Sequence, residues 1–149
     1  MRALVQRVSS CAVRVSGREV SRIGKGLLVL LGVSRSDGQA EVEYVAKKVI
    51  HLRMFNDREG RMNLSLREVG GEIMVVSQFT LYGDARRGRR PSYTEAAPPQ
   101  LAEELYEAVC EAFARQGFKP ARGVFGAHME VELINDGPVT LLLESPPSP

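Results

Sequence analysis

The chain has 149 residues, 44% of them apolar and 26% charged, with a formal net charge of +2. That length and balance suit one globular domain spanning 1–149, able to bury a core without metals or disulfides. Near-neutrality excludes a broadly cationic nucleic-acid binder, and the longest apolar run, Leu27–Leu31, is strand-sized and too short for a membrane span. The opening "MRALVQRVSS" alternates and has no signal-peptide apolar stretch. Cys11 and Cys110 read as reduced core thiols. Both features set the expected location as cytoplasmic.

In chain order, Leu4, Gln6, Val8 and then Ala12–Val15 predict a strand pair or one bent strand. Ser16-Gly17 marks a turn, and Glu19–Ile23 returns. After Gly24-Lys25-Gly26, the run Leu27–Val33 is apolar on both faces, as in a central strand. The glycines around Lys25 are not a phosphate loop, because no Gly-Lys-Ser/Thr opens a helix there. Ser36 and Gln39 have capping-box spacing, and Val42, Val45, Ala46, Val49 and Ile50 then recur with helical period up to His51. Leu52–Phe55 reads as a strand, "NDREGR" as a turn, and Glu72–Leu81 as a strand after Gly70-Gly71. Pro98-Pro99 opens a second helix with Leu101, Leu105, Val109 and Phe113 on one face and Gly117 as its C-cap. A short strand near Val124, then Met129–Ile134 and Val139–Glu144, precede a frayed tail, "SPPSP". The expected fold is α+β: one domain with a mainly antiparallel, curved or barrel-like sheet and two packed helices.

The two histidines, His51 and His128, have no Cys or His at ligand spacing, so no metal site is expected, and no cofactor. Nothing in the sequence couples either imidazole to a nucleophile, and both read as structural. Three segments remain. "RRGRR" holds Arg86, Arg87, Arg89 and Arg90, either a solvated loop or a local phosphate contact. Ser77-Gln78-Phe79-Thr80 ends an apolar strand with a hydroxyl, an amide, a ring and a second hydroxyl. It is either the end of an alternating strand, with Gln78 and Thr80 outward and Phe79 and Leu81 inward, or a small polar site whose backbone amides receive an oxyanion. Gly137-Pro138 lies between the last two runs. Composition makes it a hairpin turn with a trans peptide, since only about 5–6% of X-Pro bonds in folded proteins are cis.

Taken together, "SQFTL" at 77–81 and "NDGPVT" at 135–140 resemble the paired signature motifs of the D-aminoacyl-tRNA deacylases. "MRALVQRVSSCAVRV", "GLLVLLGV", "FNDREGRMNLSL", "RRGRRPSY" and "GVFGAHMEVELINDGPVT" resemble successive blocks of the same family, in order over nearly the whole chain. His128 departs, standing where the family pattern has an acidic residue, and reads as variation, not as a new site. The resemblance implies hydrolysis of the ester between a D-amino acid and the 3′ end of tRNA by a homodimer, with no membrane involved. It implies a cis Gly137–Pro138 peptide entering the partner's pocket beside Ser77–Thr80, where its carbonyls exclude an L side chain. It further implies that Arg7 holds this segment, against the alternative of an exposed strand charge, and that Arg86–Arg90 meets tRNA phosphates. For the chemistry, either the Thr80 hydroxyl attacks, or the amides of Phe79 and Thr80 hold the oxyanion while water attacks with help from the tRNA ribose. The second is favoured because "SQFTL" supplies amides but no base. Gln78 and Ser77 would position substrate or strand, and Phe79 would stack on the terminal adenine or form a pocket wall. The competing classes are a non-catalytic nucleic-acid-binding dimer and a deacylase acting mainly on mischarged glycyl-tRNA.

Overall fold

A computed structural model describes residues 1–146, so the tail expected at 145–149 lies mostly outside it. The chain starts with one long bent strand, β1 (Arg2–Val15), followed after the Ser16-Gly17 turn by β2 (Arg18–Ile23) and then β3 (Gly26–Gly32). Helix α1 (Gln39–His51) leads to a small hairpin, β4 (Phe55–Asn56) and β5 (Met62–Leu64), and a single helical turn, α2 (Leu66–Val69). Strand β6 (Glu72–Ser77), a 3₁₀ turn (Phe79–Tyr82), α3 (Pro99–Arg115), β7 (Ala121–Arg122) and β8 (Glu130–Glu144) complete the order.

The sheet runs β2-β1-β3-β6-β7, with β8 also paired to β1. Arg2–Val8 of β1 pairs with β3 and Cys11–Val15 with β2, so those two strands follow each other along one edge. β8 covers the opposite edge nearly end to end. The pairings of β1 are antiparallel, while β3–β6 and β6–β7 are parallel.

Two apolar clusters explain the curvature. Ala3 and Val5 of β1, Leu27, Val29 and Leu31 of β3, and Ile73 and Val75 of β6 pack against the buried stripes of α1 and α3. On the other face, Val8, Cys11, Val13, Ile23, Leu28, Met74 and Val76 form a second core into which the sheet curls, with Met129, Val131 and Leu133 beside it. β3 and β6 therefore bury both faces, as their unbroken apolar runs require. β1 changes face between Val8 and Cys11, where its register against β8 also slips, as expected of a β-bulge. Among the described residues, no helix is long and apolar enough to cross a membrane.

Several boundaries differ from expectation. The cap of α1 is Gly38 with Glu41, whose carboxylate accepts from the Gly38 N–H at 2.8 Å, and not the Ser36–Gln39 pair. Leu52–Phe55 is not a strand; only Phe55–Asn56 pairs. A Ser65/Glu68 capping box builds the unanticipated turn α2. Gln116 caps α3, and Gly117, at φ +93°, follows it. The short strand lies at Ala121–Arg122, ahead of Val124. The largest differences are at the two motifs. β6 stops at Ser77 instead of continuing to Leu81, and Met129–Ile134 and Val139–Glu144 do not form a hairpin with each other. Both halves lie on β1, which gives each of them more ladder partners than a short mutual hairpin would.

Candidate active site

Two departures from the sheet carry the polar residues of interest. The first follows β6. The Gln78 N–H donates to the Leu31 carbonyl at 2.7 Å as the last tie to β3, and the chain then winds into the 3₁₀ turn. Gly32 permits this. A Cβ there would lie 3.1–3.3 Å from Leu81 Cβ, the Gln78 carbonyl oxygen and the Tyr82 ring. Arg2 clamps the far end of the turn, donating to the Leu81 carbonyl at 2.8 Å and lying 4.5 Å over the Tyr82 ring. Burial pushes the Tyr82 hydroxyl up to about 12.

The alternating-strand alternative for Ser77–Thr80 therefore fails. Phe79 is 54% exposed, and Thr80 also faces solvent. The Phe79 and Thr80 amides occupy the first turn of a 3₁₀ helix, where no intrahelical acceptor exists, and among the described residues no turn or loop hydrogen bond takes them. The Gln78 side-chain amide donates to the Thr80 hydroxyl.

Ser77, Gln78 and Phe79 form one wall of a cavity of about 590 Å³, faced by Tyr93, Ala97, Phe125, His128 and Met129. Tyr93 meets Phe79 edge to face, with ring centroids 5.2 Å apart. It is brought there by reciprocal backbone hydrogen bonds between Asp84 and Ser92, which close the arginine loop at its base. Thus the loop emerges at the cavity rim. Its four arginines are not equivalent. Arg86 forks onto Asp84 at 2.8 and 2.9 Å, holding that carboxyl down to about 2, whereas Arg87, Arg89 and Arg90 are exposed and in no ion pair among the described residues. Tyr93 and His128 were not singled out as site residues by the sequence. Tyr93 sits in a polar loop, and His128 is separated from Ser77 by the whole of α3. His51 lies elsewhere, its Nδ1 2.8 Å from the Lys47 carbonyl oxygen at the end of α1. Among the described residues no group of three His, Cys, Asp or Glu side chains could hold a metal, and both cysteines are free and buried.

The second departure is inside β8. The Gly137–Pro138 peptide is cis, not trans as composition alone suggested, and both residues are exposed. Arg7, 6% exposed and so not a surface charge, lies beneath the segment. Its Nε donates to the Asp136 carbonyl at 3.0 Å and lies 3.3 Å from the Asp136 carboxylate. Asn135 braces the segment from within, its Nδ2 donating to the carbonyls of Arg7 at 2.9 Å and Val139 at 3.0 Å. Gly137 has φ +132°, and a Cβ on it would lie 2.7 Å from Val139 Cγ2 and 3.0 Å from Arg7 Nη2. Only glycine combines that backbone with that space.

Within one chain these two sites stay apart. β1 and β3 lie between β8 and β6, and neither Gly137 nor Pro138 lines the cavity beside Ser77–Phe79.

The chain is similar to known proteins over nearly its whole length. The family model described as D-Tyr-tRNA(Tyr) deacylase matches residues 4–144. A D-aminoacyl-tRNA deacylase from Desulfatibacillum aliphaticivorans is 61% identical over 97% of this chain and 99% of its own, and one from Thermosipho africanus (strain TCF52B) is 55% identical over 97% of each. A solved structure described as "c-Myc DNA Unwinding Element Binding Protein" superposes with a TM-score of 0.92 at 42% identity, covering 99% of this chain and all of the other. The chain belongs to the D-Tyr-tRNA(Tyr) deacylase family and is an enzyme of the D-aminoacyl-tRNA deacylase type.

Proposed function

We propose that this deacylase is a chiral proofreader that works as a homodimer, each Gly137–Pro138 turn closing the other chain's Ser77–Phe79 cavity. The observation that carries the reading is the exposed turn itself: it is braced by Arg7 from behind and Asn135 from within, while neither Gly137 nor Pro138 lines the cavity it would serve in its own chain. A braced, solvent-facing turn suits a role on a second molecule. The strand that bears it supplies the apolar surface a dimer needs, because Ile134, Leu141 and Leu142 of β8 are 60%, 40% and 54% exposed.

The substrate is an amino acid esterified to the terminal ribose of tRNA. Its ester carbonyl lies against the unpaired Phe79 and Thr80 amides, which receive the negative charge as water adds to the carbonyl carbon. The bond to the ribose oxygen then breaks. The water's proton passes to that oxygen with the neighbouring ribose hydroxyl as relay, leaving free tRNA and amino acid. Thr80 is not the nucleophile in this scheme. Its hydroxyl is engaged by Gln78, and a threonine hydroxyl is weak without a base. The partner's turn points its carbonyl oxygens at the α-carbon, leaving room for hydrogen or an amino group and none for an L side chain. Selection is then by exclusion, so many D-amino acids pass. Glycine has nothing to exclude, and glycyl-tRNA is hydrolysed too. Arg87, Arg89 and Arg90 meet the tRNA backbone at the cavity rim, which calls for no particular tRNA sequence. The setting is the cytoplasm, with the charged tRNA pool.

Subunit mixing tests the cross-chain arrangement. Phe79→Pro removes one amide donor at a helix position that tolerates proline, and Gly137→Val obstructs the turn. If each chain serves the other's cavity, refolding the two inactive variants together regenerates about a quarter of wild-type D-selective turnover, from heterodimers with one intact site. If turn and cavity act within one chain, no activity returns.

A further inference from the structure

Arg7 is gripped from two sides, and only one of them belongs to the Gly-Pro segment. Opposite Asp136, its Nη1 donates to the Met54 carbonyl at 2.8 Å and to Asn56 Oδ1 at 3.2 Å. Both acceptors belong to the approach and first strand of the β4–β5 hairpin. A guanidinium is planar and rigid, so fixing Nη1 at two points fixes the direction of Nε and the placement of Nη2. Those are the atoms that meet the Asp136 carbonyl and lie against Gly137.

We infer that the β4–β5 hairpin, through Asn56, positions the Gly137–Pro138 turn by setting the plane of the Arg7 guanidinium. The inference rests on the reading of that turn as the chirality filter. The hairpin is built to hold Asn56 still. Phe55 beside it is buried, and Asn56 pairs with Met62. Asp57 closes the tip: its N–H donates to the Arg61 carbonyl at 2.8 Å, and its Oδ1 accepts from the amides of Glu59 at 2.9 Å and Arg61 at 3.0 Å. Arg53 ties the strands again, donating to Asn63 Oδ1 at 3.1 Å. The two acceptors of Arg7 Nη1 have separable duties. The Met54 carbonyl is backbone and anchors the buried charge whatever the side chains are. Asn56 Oδ1 supplies the second point, without which the guanidinium can pivot about the first. Asn56 is thus a positioning residue: it touches no substrate, lies on the exposed side of the hairpin, and acts through Arg7.

The test compares kcat/KM for D-tyrosyl-tRNA and L-tyrosyl-tRNA in three variants, with thermal melting alongside. Asn56→Ala is expected to lower the D-over-L ratio about tenfold, mainly by admitting the L substrate, the size of one charge-assisted hydrogen bond. Its melting temperature should fall far less than that of Arg7→Ala, because Met54 still holds Arg7. Asn56→Asp keeps an acceptor oxygen in place and should restore the ratio. An unchanged ratio in Asn56→Ala overturns the inference, as does an Asn56→Asp variant that is equally permissive. Gly137→Ala separates the two levels. If it alone loses selectivity, the filter stands and the role of Asn56 falls; if it keeps full selectivity, the filter reading fails and the inference fails with it.

Discussion

At the end of β6 the chain leaves the sheet for a 3₁₀ turn, a loop and α3 before it rejoins at β7; in the middle of β8 it leaves for a few residues and resumes pairing with the same neighbour. The 3₁₀ turn departs with its first amides unpaired among the described residues and its aromatic ring half exposed, so its polar groups are available to a ligand. The Gly-Pro turn is braced instead, by Asn135 from within and by a buried arginine from behind. One segment offers backbone donors and the other offers a fixed shape. The first should therefore be insensitive to its side chains and sensitive to its amides, and the second should depend on residues far from it in sequence.

The strongest probe of that contrast is Phe79→Pro. Loss of one oxyanion donor should lower kcat on D-aminoacyl-tRNA by about 10²–10³-fold. A kcat within a few-fold of wild type would show that the amide takes no part. Next is Arg7→Ala, which strips hydrogen bonds from the Met54 and Asp136 carbonyls beneath the turn. Chemical denaturation should report a loss of about 3 kcal/mol, together with weaker exclusion of L substrates. Full stability in this variant would mean that the turn holds itself. Joint replacement of Arg89 and Arg90 by alanine is a smaller change. Affinity for tRNA should fall about tenfold, and the slope of log K against log salt should become shallower by about 1.5–2. An unaltered slope would remove the loop from the tRNA interface. Least of all is Thr80→Ala, for which kcat should stay within about threefold, whereas loss of a covalent nucleophile would cost on the order of 10⁴ or more.

Periodicity made the main elements legible. The stripe Val42, Val45, Ala46, Val49, Ile50 gave α1, and the run Leu27–Val33 gave a strand buried on both faces, because burial alone selects those patterns. What stayed hidden depended on tertiary neighbours. "SQFTLYG" continues an alternating pattern, and nothing within it announces that Gly32, more than forty residues earlier, leaves room for a 3₁₀ turn. "INDGPVTLLLE" has the composition of a hairpin, and only the length of β1 shows that both halves share one partner strand. Of the candidate site, the residues of the two motifs were legible through resemblance. Tyr93, His128 and Asn56 were not, since each joins its site through a hairpin or loop whose placement is a property of the whole fold.

In this reading the enzyme selects by stereochemistry at the α-carbon and not by the identity of the side chain. The decisive assay is deacylation of the same tRNA carrying a D-amino acid, its L enantiomer, or glycine. Rapid release from the D and glycyl forms, with the L form decaying only at its spontaneous rate, is the expected result. Hydrolysis of the L form as fast as the D form would contradict it.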